Sequence, residues 1–377
     1  MVVITAFLLA LLTGSLVYCV LTVLAARRYL AVQPPSLRTP IAISVLKPLS
    51  GVDEGLEENL RSFFRQEYSG FEILFAVHRA DDPAVAVVEK VRRECPGGPA
   101  TRLIVTGEPP GPNAKAFSLE RMTQEARHHL LVTSDSDARV TPGLLKTIAS
   151  EFQEEGVGVA TCPYRAVPGP SVWSRLEAIG MNTEFLGGVL VARMLEGMKF
   201  ALGPTMAIRR EVLERMGGFG GLQDYLSEDF VIGKLAAEMG YRVLLSSYMI
   251  EHRIGSQPFG TNLRHRLRWA RGTRRSRPLG YWGQVFTNPL PLAVLLWALE
   301  PGWWPLVVLT ALFRAAAAWA VAGWVLHDPL TRKRWWLVPV QDLLSFLVWI
   351  AGFFGNTILW RGRKCYLSRD GRFRLAP

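Results

Sequence analysis

Cysteine is scarce in this chain. The four in 377 residues, Cys19, Cys95, Cys162 and Cys365, stand at no paired spacing. That excludes a disulfide framework and a cysteine-based zinc site. Acidic residues are outnumbered, 32 against 43 basic ones, for a formal net charge of +11. A basic balance can mark a nucleic-acid binder. Here, however, the basic residues concentrate after Asn262 and in the C-terminal tail, beside apolar stretches. That placement suits anionic headgroups at a membrane, and no nucleic-acid partner is expected. The chain also lacks internal repeats and long low-complexity segments, which excludes a solenoid.

Charge is missing altogether from residues 1–26, a stretch long enough to cross a bilayer. It has no basic n-region, and Arg27-Arg28 follow the apolar run instead of preceding it. An uncleaved anchor is therefore expected, with everything after Arg28 in the cytoplasm. The stretches from Trp303 to Leu326 and from Trp335 to Trp360 are nearly as apolar, interrupted by Arg314 and Asp342 respectively. The expectation is a multi-pass protein of the cell membrane. Between Gln284 and Leu299 the apolar run is broken by Asn288, Pro289 and Pro291. The basic tail after Trp360 favours a re-entrant or interfacial segment there, so that the tail returns to the cytoplasm.

What is present in the middle of the chain is alternation. Short β-rich runs at 41–46, 71–77, 103–105, 157–161 and 205–208 are separated by segments of helical spacing, such as Leu56, Leu60, Phe63 and Phe64. This is the pattern of an α/β fold with a mostly parallel sheet and helices on its faces. The expected organisation is an anchor at 1–26, a linker at 27–40 and a cytoplasmic catalytic domain at 41–262. A basic interfacial helix and possible re-entrant segment follow at 263–300, then transmembrane helices at 301–361 and a basic tail at 362–377.

The stretch that organises the domain is His129-Leu130-Leu131-Val132-Thr133-Ser134-Asp135-Ser136-Asp137. A strand that ends in two carboxylates two residues apart puts acids where open α/β sheets gather ligands. Asp135 and Asp137 suit a divalent cation, Mg²⁺ or Mn²⁺, since such ions are held by one or two carboxylates plus substrate phosphates. The plain alternative is a strand followed by a polar turn.

The order of motifs resembles the ceramide glucosyltransferase family and the related bacterial enzymes that glycosylate hopanoid lipids. The resemblance runs from about Ile41 to Arg374. It rests on Val45-Leu46-Lys47-Pro48-Leu49, Asp81-Asp82, Asn113-Ala114-Lys115, Ser134-Asp135-Ser136-Asp137, Glu228-Asp229-Phe230 and Leu267-Arg268-Trp269. It implies a GT-A nucleotide-sugar-binding domain and an inverting transfer of a hexose, glucose by precedent, from a UDP-sugar to a hydroxyl of a ceramide-like membrane lipid. Transfer of N-acetylglucosamine to a hopanoid polyol is the rival within that chemistry, and a non-catalytic adaptor the rival from another class.

Roles follow from the same match. Asp135 and Asp137 would hold the metal, Asp135 also facing the nucleotide-sugar. Asp81 or Asp82 is placed to bind the nucleoside, the alternative being a helix cap before Pro83. Asn113 and Lys115 would contact the diphosphate. Asp229 matches the family's third acid and is the expected catalytic base, for which partial desolvation of its carboxyl is needed; the alternative is dipole stabilisation by Glu228 and Asp229 at a helix start. Arg268 and Trp269 match the family's Arg-Trp pair, a fixed cation for the diphosphate and an apolar wall near the acceptor. His265 stands where the family has Gln or Arg, which leaves that contact with the donor or acceptor open. Arg264, Arg268, Arg271 and Arg275 also recur at helical spacing, and a second reading gives these guanidiniums to lipid phosphates.

Overall fold

The computed structural model describes residues 2–360 and 363–375. The chain forms two compact units: a sheet unit of Gln33–Tyr164, Met198–Gly255 and the residues from Gly371 onward, and a helical unit of the residues up to Val32, Arg165–Gly197 and Ser256–Asp370.

The sheet unit is built on seven strands, β1 (Ile43–Pro48), β2 (Phe71–Val77), β3 (Ala100–Val105), β4 (Leu130–Ser134), β5 (Val157–Thr161), β6 (Thr205–Arg209) and β7 (Arg242–Leu245). Their order across the sheet is β3-β2-β1-β4-β6-β5-β7. β1 pairs in parallel with β2 and β4, β2 with β3, and β5 with β7, whereas β6 runs antiparallel to both its neighbours. The sheet is thus mostly parallel, as expected. Strands covered on both faces read as unbroken apolar runs, and β4 and β5 are buried along their whole length. Strand direction reverses between β4, parallel to β1, and β6, and β4 ends at Ser134, immediately before Asp135.

Two glycines set the approach of the helix Glu228–Glu238. A Cβ on Gly233 would lie 2.2 Å from the carbonyl carbon of Phe200, so that backbone can close on the helix only with glycine there. A Cβ on Gly203 would lie 2.8 Å from Asp229 Oδ2. Glycine at both positions seats the start of this helix directly against the 200–203 backbone.

In the helical unit, Val2–Leu30 is one helix that continues past Arg27 and Arg28, beyond the boundary expected at residue 26. Thr5, Leu8, Leu12, Ser15, Cys19, Thr22 and Ala26 are buried at spacings of three and four, one stripe of the helix. Leu8 and Leu12 pack on Leu292, Ala293 and Leu296. The opposite side, with Val3, Phe7, Val17, Val20 and Leu24, is apolar and exposed. Such a surface is costly in water and suits lipid.

Val2–Leu30 and Pro301–Val325 are long and apolar enough to cross a membrane. The helix Pro289–Leu299, at 11 residues, rises about 16 Å, short of a hydrocarbon core of about 30 Å. Leu337–Gly352 is also shorter than a span. The stretch expected to be helical as far as Trp360 stops at Gly352, and Thr357–Trp360 pairs antiparallel with Arg363–Leu367. The C-terminal residues are therefore more than a basic tail.

Candidate active site

Lys115 sits in the first turn of the helix Ala114–Glu125 and points back at the sheet edge. Its Nζ lies 2.7 Å from Asp135 Oδ1 and 3.2 Å from Glu228 Oε1, and donates to Gly203 O at 3.4 Å. Burial alone would drive this ammonium toward neutrality. Asp135, Glu228 and Asp229 outweigh that and hold its pKa well above the usual lysine range. A single cation thus serves three acids from two chain segments.

Asp135 follows β4, its N–H donating to Pro204 O at 3.0 Å. Burial raises its carboxyl pKa, against the pull of Lys115. Asp137 Oδ2 lies 3.1 Å from His252 Nε2. Burial pushes that carboxyl up too, but His252, Lys115 and Lys47 leave it below the ordinary range. The other oxygen, Asp137 Oδ1, is buried and makes no hydrogen bond. A buried anionic oxygen without a donor is what a cation site supplies, so the donor set fits a divalent ion. Among the described residues no three His, Cys, Asp or Glu side chains are grouped to hold a metal alone. A Mg²⁺-type site does not require that, because substrate phosphates complete it.

Asp229 lies at the N-terminus of Glu228–Glu238, with Oδ2 against Gly203. Burial and the adjacent Glu228 raise its carboxyl pKa to about 7, opposed by Lys115 and by the Phe230 N–H. The desolvation that a base at this position needs is therefore present.

Three expected site residues are placed differently. Asn113 is fully buried; its Oδ1 caps the helix by accepting from Ala116 N at 2.9 Å, and its Nδ2 donates to Tyr225 O at 2.8 Å and Glu228 Oε2 at 3.1 Å. The amide is spent on the fold, and its part in the site is to hold Glu228. Asp82 Oδ1 accepts from Gly51 N at 3.0 Å and Ala84 N at 2.9 Å, the capping alternative to a nucleoside contact. Asp81 is exposed and ion-paired with Arg79 at 2.7 Å.

His265, Arg268 and Trp269 lie in the helical unit, on one face of the helix Phe259–Ser276. His265 Nδ1 is 2.6 Å from Glu177 Oε1, and Asn262 Nδ2 donates to Glu177 Oε2 at 2.6 Å. The Trp269 ring stands between His265 and Phe185, at 5.5 and 5.8 Å. Of the four arginines that the second reading gave to lipid phosphates, Arg271 and Arg275 are engaged within the protein. Arg271 donates to Phe354 O and Thr357 O, and Arg274 to Phe353 O and Gly355 O, while Arg275 bonds Asn356. These guanidiniums bind the segment 353–357 that follows the helix Leu337–Gly352, pairing carbonyls that a turn leaves without partners. Arg264 is left exposed.

Sequence reasoning gave no role to Lys47, His252 or Glu177. Lys47 is fully buried at the end of β1, donating to Asp135 O at 2.9 Å and lying over the Phe63 ring at 3.9 Å. Burial lowers its pKa to about 7 against Asp135 and Asp137. The signal was available: a lysine prolonging an apolar strand run. In Ile250–Gly255, Ile250, His252 and Ile254 alternate as the buried positions, so the period-2 pattern already turned His252 inward.

The family model described as Glycosyl transferase family 21 matches residues 6–373. The chain belongs to this family. It is 29% identical over 208 residues to ceramide glucosyltransferase 1 of Caenorhabditis elegans, covering 55% of this chain and 44% of that one. To ceramide glucosyltransferase 3 of the same organism it is 23% identical over 339 residues, covering 88% and 73%. The chain thus spans less than half the length of the first of these relatives. The mannosyltransferase PcManGT from Pyrobaculum calidifontis, solved in complex with GDP-Man and Mn²⁺, superposes with a TM-score of 0.57. That likeness covers 93% of this chain and 99% of that one at 18% identity, and it shows the fold, GT-A. The family-21 assignment and the ceramide glucosyltransferase resemblance agree.

Proposed function

We propose that this family-21 chain transfers a hexose from a UDP-sugar to a hydroxyl of a ceramide-like membrane lipid, with inversion at the anomeric carbon. The observation that carries the reading is the Asp229 carboxyl, raised to about 7 yet set beside the Lys115–Asp135 pair. A group poised near neutrality accepts a proton efficiently, and a fixed cation nearby favours an anionic diphosphate. Asp229 takes the proton of the acceptor hydroxyl as its oxygen bonds to the anomeric carbon. The bond from that carbon to the diphosphate oxygen breaks, and UDP leaves. Lys115 and Lys47 stabilise negative charge at the sheet edge, and Asp137 is oriented by His252. Asp135 and Asp137 would hold Mg²⁺ or Mn²⁺, which when bound supplies Lewis acidity toward the diphosphate. For His265, Trp269 and Arg268, in the helical unit, it is the family match that supports donor or acceptor roles.

Two apolar helices and the exposed face of Val2–Leu30 support residence in the membrane. Arg27 and Arg28, exposed at the end of that helix, favour a cytoplasmic sheet unit, where nucleotide sugar is available. The direct test is mass spectrometry after incubating the purified chain with UDP-glucose and ceramide. The expected product is the ceramide carrying one hexose. If UDP-glucose is consumed equally with and without lipid and no glycolipid forms, the reading is wrong. Protease should cut near Lys115 in sealed inside-out vesicles, and full protection would reverse the orientation.

A further inference from the structure

From Ser256 to Asp370 the chain belongs to the helical unit, and it rejoins the sheet unit only from Gly371 onward. The place of return is the loop that leads into the helix Glu228–Glu238. Phe373 N donates to Asp224 O at 2.7 Å, and Arg372 and Tyr225 pair as an antiparallel bridge. The Arg372 guanidinium lies over the Tyr225 ring, 5.3 Å from its centre, an attractive placement for a cation. The Phe373 side chain is buried. Main-chain pairing, a cation on a ring and a buried aromatic thus fasten the end of the chain to two consecutive loop residues.

The loop itself supplies little stiffness. It leaves Gly217-Gly218-Phe219-Gly220-Gly221, whose first two residues already take the left-handed φ of +87° and +71°. The helix that follows starts after Ser227 with no side-chain cap to fix its first turn. From the sheet side, Asn113 N donates to Gln223 O at 3.2 Å, and Asn113 Nδ2 to Tyr225 O at 2.8 Å and Glu228 Oε2 at 3.1 Å. Tyr225 is therefore held twice, its carbonyl by Asn113 and its ring and main chain by the tail. Three residues on, Glu228 Oε1 lies 3.2 Å from Lys115 Nζ, with Asp229 next in the chain. A shift at Tyr225 reaches Glu228 along the loop and also through the shared Asn113 amide.

We propose that residues 371–375 are a positioning segment for the acid–lysine cluster: by clamping Asp224 and Tyr225 they fix Glu228, and with it Lys115 and Asp229. The effect on rate rests on the transfer reading above, whereas the effect on the loop does not. The segment acts through other residues, and small displacements of reacting groups are enough to slow a reaction. A stretch that reads in sequence as one more basic tail thereby becomes part of what orders the site.

The test uses the full chain in detergent micelles and three substitutions at one position. Phe373→Leu keeps the N–H and an apolar side chain, Phe373→Ala loses the buried ring, and Phe373→Pro loses the N–H that Asp224 O accepts. Amide hydrogen exchange over 222–231, read by mass spectrometry, should be about tenfold or more faster than in the parent for the Ala and Pro variants. Phe373→Leu should stay near the parent, and β1 and β4 should exchange as in the parent throughout, which verifies folding. If faster exchange in β1 and β4 shows that Phe373→Pro does not fold, the Ala and Leu variants decide. The kcat for transfer should fall by about tenfold in Phe373→Ala. In a Glu228→Gln background the same substitution should lower kcat no further, because residues acting through one another are not additive. A merely structural role would lower kcat equally in both backgrounds, and that result overturns the proposal. Unchanged exchange over 222–231 in the Ala and Pro variants overturns it too, as does faster exchange with the parent's kcat. The two readings fail separately. A parent that forms no glycolipid sinks the transferase reading, and exchange over 222–231 then decides the clamp by itself.

Discussion

Lys115 holds Asp135 across the sheet edge at 2.7 Å. This contact makes the site possible. Asp135, Glu228 and Asp229 converge from β4 and from the helix Glu228–Glu238, and without a shared cation their mutual repulsion would oppose that packing. Lys115 also ties proton affinity at Asp229 to events at Asp135, since both carboxylates act on the same ammonium.

The first prediction concerns the acid pair. Asp137→Ala should lower donor turnover by about a hundredfold or more, on the scale of losing a group that stabilises developing charge. Binding of a fluorescent UDP analogue to the parent should strengthen on adding Mn²⁺, and in Asp137→Ala that response should be lost. Turnover that withstands both the substitution and EDTA would remove the metal from the site.

Asp229 gives a second, with its sign set by the raised carboxyl. As a base it must be ionised, so transfer should rise with pH through about 7 and then level off. Asp229→Asn should cut transfer by about 10²–10⁴-fold, erase that limb and leave UDP affinity near the parent's. A raised native pKa also means that the folded chain binds the proton more tightly than the unfolded one. Its contribution to stability therefore falls as pH rises from about 4 to about 7. Asp229→Asn should accordingly melt above the parent at pH 8 and close to it at pH 4. If UDP affinity falls instead and transfer survives at saturating donor, Asp229 is a donor ligand, and Glu228 and Asp224 become the bases to try.

Gly203 offers a third. Gly203→Ala introduces a methyl group 2.8 Å from Asp229 Oδ2, so the carboxylate must move. Displacing a reacting group by a fraction of an ångström costs rate more than affinity. The expected outcome is a kcat lower by about tenfold with the KM for donor unchanged. A rise in the donor KM with normal kcat would place this contact on the nucleotide side.

The basic helix supplies the last. Arg274→Ala removes donors from the carbonyls of Phe353 and Gly355 and should lower stability by about 1–2 kcal/mol. Activity in vesicles should depend on anionic lipid as it does in the parent. Arg264→Ala, at an exposed position, should do the reverse, sparing the melting temperature and weakening the response to anionic lipid. An equal loss of lipid response in both variants would place Arg274 as well as Arg264 at the membrane surface.

Local order was legible before any coordinates. Periodicity located β1, β2 and β4, because strands buried on both faces must be apolar throughout, and the apolar run of 1–26 announced a helix that covers itself in lipid or protein. Asp135 and Asp137 were legible as candidates because they close a strand, where side chains are free to meet a ligand, and Lys115 and Asp229 because they match the motifs of the family the sequence resembles. Which acid shares which base was not. Lys115 and Glu228 are 113 positions apart, Asp137 and His252 115, and only the crossing of strands and the glycine-permitted approach at Gly203 and Gly233 bring them together. The same holds for Asn113 and Arg271, whose polar groups looked available for ligands in one dimension. Tertiary structure spent them on a helix start and on the turn after a helix, because backbone groups left unpaired there claim the nearest hydrogen-bonding partner.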